Sequence, residues 1–283
     1  MNVQNKCIVA AVQMTSTADI DDNLTEARRL MKKAAQAGAR LVVLPENFAC
    51  MPLGEKDRLA MAETPGDGPI QSFLSDCARE MSLFLVGGTI PLRLKNGVER
   101  PAQTCLYFGS DGSQLARYDK IHLFDVCVSA DNGRERYCES DYTTPGTDMV
   151  LADSPAGRLG FAVCYDLRFP GFFRGLLDGG MQVAVLPSAF TQTTGRAHWE
   201  ILLRARAVEN QIWVVAAAQG GRHANGRRTF GHSMIVDPWG EVVSLLADGP
   251  GIVIGEIDLD RETRLRREFP ILQHRKSENW KMK

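Results

Sequence analysis

No window of the sequence approaches the roughly 18 consecutive apolar residues that a membrane-spanning helix needs, so no membrane association is expected. The N-terminal segment MNVQNKCIVAAVQM has a short apolar stretch and no small-residue cleavage pattern, so no secretory leader is expected either. Excess charge of either sign is also missing. Lys plus Arg number 33 and Asp plus Glu 34, a formal net charge of -1, which gives no reason to expect a nucleic-acid partner. The densest basic cluster, 261–267, is interrupted by Glu262 and reads as a solvated helix face. The 7 cysteines include no Cys-x-x-Cys pair and no zinc spacing. Neither a structural metal nor a disulfide framework is therefore expected, and free thiols fit a reducing cytosol. Gly87-Gly88 and Gly220-Gly221 match no phosphate-binding loop. No linker rich in Ser, Gly or Pro divides the chain, so residues 1–283 read as one domain. With 44% hydrophobic and 24% charged residues, that domain has the composition of a globular protein with a real core.

Strand and helix patterns alternate in both halves. Short β-branched runs predict strands at 8–14, 41–44, 83–90, 160–164, 183–186, 212–218 and 252–257. Apolar residues at helical spacing predict helices over 24–35, capped by Asp21 or Asp22 and stopped by Gly38, and over 70–81, opened by Gly68-Pro69. Further helices are predicted over 172–177, 199–209 and 261–269. Ser110-Asp111-Gly112 and Pro238-Trp239-Gly240 read as hairpin turns. From 126 to 148 the apolar rhythm fails, and the segment reads as a long polar connection. The pattern describes an α/β domain with mixed sheets and helices outside. Periodicity does not choose between a two-sheet sandwich and a doubly wound sheet.

Three segments place a reactive group directly after an apolar strand: LVVLPE ending at Glu46, QLARYDK ending at Lys120, and GFAVC ending at Cys164. Side chains at the carboxyl ends of strands line the ligand crevice in α/β sheets. Cys164 as an ordinary core thiol is the bland reading, and the polar, aromatic turn Tyr-Asp-Leu-Arg-Phe-Pro-Gly after it argues against that. A thiol, a carboxylate and a cation supply nucleophile, general base and oxyanion stabiliser for acyl transfer. The rival arrangement is a Cys–His pair using His122, His198 or His232.

The same segments carry a family resemblance. LPENF around Glu46, YDKIHLFDV around Lys120 and CYDLRFP around Cys164 resemble, in order and spacing, the signature segments of the nitrilase superfamily of carbon–nitrogen hydrolases. The likeness continues through PSAFTQTTG, AHWEILLRARAVENQ and GHSMIVDPWGEV. It implies a four-layer α-β-β-α sandwich and a homodimer with the tail 270–283 at the interface. It implies Glu46 as base and acid, Lys120 as oxyanion cation and Cys164 as nucleophile, with the Tyr165 backbone N–H as a second oxyanion donor and no metal or organic cofactor. Many members add a second glutamate; Glu139 in YCES is assigned that role, with Glu135 nearby as the alternative. Arg168 is the natural partner for a substrate carboxylate, unless it is a structural ion pair with Asp166 or Glu200. Phe190 and Thr194 match pocket-lining positions.

AAAQGGRH ahead of GHSMIVDPWG resembles the deaminated-glutathione amidase members of the Nit branch. The expected reaction is cleavage of deaminated glutathione to 2-oxoglutarate and cysteinylglycine, a metabolite-repair step in the cytoplasm. The alternatives are an ω-amidase on 2-oxoglutaramate, a nitrilase proper, an N-carbamoyl hydrolase, or a non-catalytic interaction subunit that keeps the fold. Arg196 and Arg222 are candidates for reading a second substrate carboxylate, and Arg196 stands where many relatives carry a small residue or Pro.

Overall fold

A β-strand sends alternate side chains to opposite faces. In β1 (Lys6–Gln13), Cys7, Val9 and Ala11 join one buried cluster, while Ala10 and Val12 join another. This sheet is therefore covered on both sides. On the outer side lies α1 (Ile20–Gln36), which buries Ala27, Leu30, Met31 and Ala34. In β2 (Leu41–Val43), Leu41 and Val43 face the inner cluster and Val42 the outer. A short helix, α2 (Asp57–Ala60), precedes α3 (Pro69–Glu80), whose Ile70, Leu74, Cys77 and Ala78 complete the outer cluster. The sheet continues with β3 (Phe84–Val86), β4 (Ile90–Leu92), β5 (Ala102–Phe108) and β6 (Gln114–Asp119).

The rest of the chain builds a ribbon and a second sheet. The ribbon is β7 (Asp125–Ala130) against β8 (Gly133–Cys138). Next come β9 (Leu151–Ser154), β10 (Gly157–Phe161), α4 (Pro170–Asp178), β11 (Val183–Ser188), α5 (Gln192–Asn210) and β12 (Trp213–Ala218). A small hairpin of β13 (Gly220–Arg222) and β14 (Arg228–Phe230) follows, then β15 (Ser233–Val236), β16 (Val242–Leu246), β17 (Gly251–Asp258) and α6 (Leu259–Glu268). The computed structural model describes residues 5–54, 57–95, 98–130 and 133–276.

The first sheet runs β17-β1-β2-β3-β5-β4, with β6 beside β5; the second runs β16-β15-β12-β11-β10-β9. Each has three parallel strands at its centre, β1-β2-β3 and β10-β11-β12, flanked by antiparallel ones. Leu159, Phe161 and Val215 of the second sheet share the inner cluster with Val9 and Val43 of the first, and Phe173, Leu176, Trp199 and Leu203 of α4 and α5 belong to it too. The layers are thus α-β-β-α. Among the described residues, no helix is long and apolar enough to cross a membrane.

The structure corrects the sequence reading in four places. The segment 126–148 is not a featureless connection: the β7–β8 ribbon and a 3-10 turn, Glu139–Asp141, occupy most of it. Its strands lack apolar alternation because they form a separate two-stranded ribbon outside the sandwich. The run 83–90 is two strands split at Gly87-Gly88. Gly88 has φ +59, and a Cβ there would sit 2.2 Å from the Pro45 carbonyl oxygen, so only glycine lets this turn press against the segment carrying Glu46. The cap of α1 is Asp19, whose side chain accepts the Asp22 N–H at 3.0 Å. Finally, α6 is not solvated all round: Glu262 is buried beside Gln182, the residue before β11, and pairs with Arg266 at 2.9 Å.

Candidate active site

Each of the three reactive groups follows a strand end, and each is held by a different local device. After β2 the chain turns through Leu44-Pro45, and Glu46 points inward, buried. Its backbone carbonyl accepts from Gln219 Nε2 at 3.1 Å, and the next residue, Asn47, takes a left-handed φ of 57 with its N–H on Thr89 Oγ1 at 2.9 Å. Lys120 follows β6. Gly146 donates to its carbonyl at 2.9 Å, and a Cβ on Gly146 would lie 2.1 Å from the Asp119 oxygen, so this close approach also requires glycine. Cys164 opens a 3-10 turn, Cys164–Arg168, beyond β10, with a left-handed φ of 47. Such strain in a non-glycine residue persists only where neighbours over-determine it. Here Asp166 does so. Its carboxylate accepts from Val163 N at 2.8 Å, His122 N at 3.1 Å and the Tyr118 hydroxyl at 2.7 Å.

The side chains then converge. Lys120 Nζ donates to Glu46 Oε1 at 3.0 Å and to Glu139 Oε1 and Oε2 at 3.0 and 2.8 Å. Glu139 is fixed in turn by the Phe124 N–H, 2.7 Å from Oε2. Burial disfavours the ammonium, but the carboxylates of Glu139 and Glu46 outweigh it and hold Lys120 above its ordinary value, so it stays charged. Burial, reinforced by the Glu46 carboxylate, pushes the Cys164 thiol up; Lys120 and a backbone bond from Ala189 oppose this without reversing it. The resting thiol therefore keeps its proton. Glu46 is the carboxylate that acts on this thiol.

These four residues line one cleft. Tyr165, Arg168, Phe190 and Thr194 line it as well. Arg168 lies over the Phe190 ring at 5.1 Å and meets His198 Nδ1 at 3.2 Å, rather than pairing with Asp166 or Glu200. Thr194 sits at the start of α5, its hydroxyl 2.8 Å from that of Thr191. No histidine lines the cleft among the described residues, so the Cys–His alternative is not formed: His122 bonds Asp166, His198 meets Arg168, and His232 stacks on Phe230. The side chain of Glu135 lies outside the described residues.

Two expected residues are not brought to the cleft. Arg196 faces outward from α5 and lines a surface groove with Ile201 and Trp239, because helical spacing puts it opposite Thr194. Arg222 is exposed on β13. The motif around it serves the scaffold. Gln219 holds Ser16 and the Glu46 carbonyl, and His223 bridges the Ser16 carbonyl at 2.8 Å and the Thr229 hydroxyl at 2.7 Å. In their stead stand two arginines that the sequence reading did not single out, Arg58 on α2 and Arg227 before β14. No periodicity or motif marks either one; both reach the cleft only through tertiary folding.

The sequence pattern of the carbon–nitrogen hydrolase family matches residues 8–267. The deaminated glutathione amidase of Yersinia enterocolitica is 41% identical over 94% of this chain and 92% of its own length, and that of Homo sapiens is 41% identical over 95% and 82%. Among solved structures, Saccharomyces cerevisiae Nit3, a member of branch 10 of the nitrilase superfamily, superposes with a TM-score of 0.85 at 30% identity over 97% of both chains. The Caenorhabditis elegans NitFhit protein gives a TM-score of 0.88 at 38% identity, covering 98% of this chain and 66% of that longer one. The chain belongs to the carbon–nitrogen hydrolase family, the nitrilase superfamily, and is an enzyme that hydrolyses amide carbon–nitrogen bonds.

Proposed function

We propose that the chain hydrolyses the amide of deaminated glutathione to 2-oxoglutarate and cysteinylglycine through a thioester on Cys164. The observation that carries this reading is the buried Glu46–Lys120–Glu139 cluster in one cleft with Cys164, whose backbone is held at a left-handed φ of 47. Glu46 takes the Cys164 proton as sulfur attacks the amide carbon. The oxyanion that forms is held by the Lys120 ammonium and the Tyr165 N–H, which stands in the first turn of the 3-10 helix and has no intrahelical acceptor. Glu46 passes its proton to the departing nitrogen, the C–N bond breaks and a thioester remains. Water then attacks the thioester, Glu46 takes its proton and returns it to the sulfur, and the acid leaves. Glu139 keeps Lys120 in position throughout.

Charge supports the substrate class. The cleft holds two carboxylates, Glu46 and Glu139, against four cations, Lys120, Arg58, Arg168 and Arg227. A substrate carrying carboxylates balances that excess. Arg168 is suited to the 2-oxo acid end, since a guanidinium binds a carboxylate bidentately. Phe190 packs against the acyl chain, and Thr194 donates to a carboxylate oxygen. The names of the Yersinia and human relatives favour the same substrate. Purified protein assayed side by side on deaminated glutathione, 2-oxoglutaramate and simple nitriles is expected to give its highest kcat/KM on the first. A preference for 2-oxoglutaramate would make it an ω-amidase instead, and turnover of nitriles alone would overturn the amidase reading.

Residues 1–283 form, in this reading, a single hydrolase domain that works as a homodimer in the cytoplasm. The outer groove of α5 supports the dimer: Ile201 is 68% exposed and Trp239 55%, large apolar groups that one sandwich leaves in water. The tail 270–283 is assigned to the same interface; its last part, with Trp280, lies outside the described residues. The seven cysteines are free thiols, which fits the cytosol. A light-scattering mass near 31.2 kDa at micromolar concentration would refute the dimer.

A further inference from the structure

Arg58 and Arg227 are cations in an unusual setting. Arg58 is only 8% exposed, yet no carboxylate pairs with it among the described residues. Its Nη1 donates to the neutral oxygens of Asn47, at 3.1 Å, and Gln103, at 3.3 Å, and its guanidinium lies 5.0 Å from the Tyr142 ring centre. Its buried Nε has no partner there at all. Arg227 is half-buried and likewise pairs with no carboxylate among the described residues. Nη2 donates to the Ala189 carbonyl at 2.7 Å, the guanidinium stands 5.5 Å from the Tyr137 ring centre, and the buried Nε is again unmatched. A buried charge without a counter-ion is costly, and so is a buried N–H without an acceptor. Scaffold needs alone do not explain two guanidiniums with unmatched buried Nε atoms on the walls of one cleft.

Their position does. Arg58, Arg227, Tyr137 and Tyr142 line the inner cleft and also an outer recess open to solvent. Arg168, Lys120 and Cys164 line the inner cleft only. The recess adds Arg136 and Asn225 to its walls and, among the described residues, contains no acidic side chain. A substrate seated with its acyl end toward Arg168 and its amide carbon at Cys164 can extend its amine portion past the two arginines into that recess.

We propose that Arg58 and Arg227 form a second carboxylate site, one that reads the terminal carboxylate of the amine leaving group. The inference rests on the thioester amidase reading above and deepens it. The enzyme is then built for amides whose leaving amine is an anionic peptide, and a bare ammonia-yielding amide leaves this site unfilled. Arg196 and Arg222, the candidates the sequence offered, have no part in it.

The test uses the full-length protein and three amides of 2-oxoglutarate: deaminated glutathione, the same compound with its glycine carboxylate converted to a carboxamide, and 2-oxoglutaramate. Wild-type kcat/KM is expected to be about tenfold or more higher for the free acid than for the carboxamide, the size of one charge-assisted contact. In Arg227→Met that ratio should fall to within about threefold of unity. Arg58→Met should do the same. Because Arg58 also braces Asn47 and Gln103, its melting curve is recorded, and Arg227→Met carries the test if Arg58→Met does not fold. Arg227→Lys should keep an intermediate ratio, since it retains charge but loses the fork. A wild-type ratio near one, or a ratio unmoved by Arg227→Met, would overturn this inference alone. Failure to cleave any of the three would overturn the functional reading and this site with it.

Discussion

Replacing Glu139 by glutamine removes a charge and almost no volume, so its effect isolates the electrostatic role of this side chain. Glu139 offers two anionic oxygens to the Lys120 ammonium, at 3.0 and 2.8 Å, and one of them also receives the Phe124 N–H at 2.7 Å. An amide has one acceptor oxygen. Its NH₂ must therefore face the ammonium in either orientation, and in one of them the Phe124 N–H as well, a donor against a donor. A charge-assisted bond of this kind contributes about 1.5–3 kcal/mol. If the loss falls on the transition state, kcat drops about 10- to 150-fold, at 1.36 kcal/mol per tenfold. Lys120 remains charged because Glu46 still faces it at 3.0 Å. KM should move less than kcat, because Glu139 acts on the lysine rather than on the scissile amide. Steady-state kinetics of Glu139→Gln on a 2-oxo-acid amide, with a melting curve as the folding control, measures both. A kcat within about twofold of wild type would refute the claim that Glu139 positions the oxyanion cation.

Lys120→Met should lower kcat by about 10²-fold or more, the cost of removing an oxyanion donor. It should also lower the melting temperature, since Glu46 and Glu139 would be left buried and facing each other; a variant as active as wild type would remove Lys120 from the mechanism. Asp166→Asn should cost about 1–3 kcal/mol in chemical denaturation and reduce kcat, because this carboxylate braces the turn that holds Cys164 at φ 47. Unchanged stability and rate would mean the turn holds itself. Glu262 supplies a pH test: burial lifts it from 4.5 to about 8 against the opposing pull of Arg266. The folded state then keeps a proton that the unfolded chain releases, so stability falls as pH rises from 4.5 through about 8. Denaturation at pH ~5 and ~9 should show wild type losing more than Glu262→Gln, and equal losses would contradict that assignment.

The sequence makes the strand-end groups legible for a physical reason. Glu46, Lys120 and Cys164 each follow an apolar run, so the contrast itself marks them, whereas Glu139 lies inside the polar stretch 126–148 and only the family resemblance points to it. The buried strands read clearly because β1, β2, β11 and β12 are covered on both faces and need apolar residues at nearly every position. The β7–β8 ribbon is illegible because it packs outside the sandwich and needs no alternation. Arg58 and Arg227 are illegible because their surroundings are rings and carbonyls contributed by distant segments, Tyr142 and Gln103 for one, Tyr137 and Ala189 for the other. Arg196 and Arg222 attract attention because they sit inside family-like motifs. Those motifs carry other duties here: Gln219 and His223 support the Glu46 segment, and Thr194 faces the cleft from the helix side opposite Arg196.

The central claim is that Cys164 carries the acyl group. Intact-mass spectrometry of enzyme quenched during turnover of deaminated glutathione, followed by peptide mapping, tests it directly. The account predicts a 2-oxoglutaryl adduct on the peptide containing Cys164, labile to hydroxylamine as a thioester is, and absent from Cys164→Ala together with all turnover. An adduct on Cys127 or Cys138, or hydrolysis retained by Cys164→Ala, would contradict it.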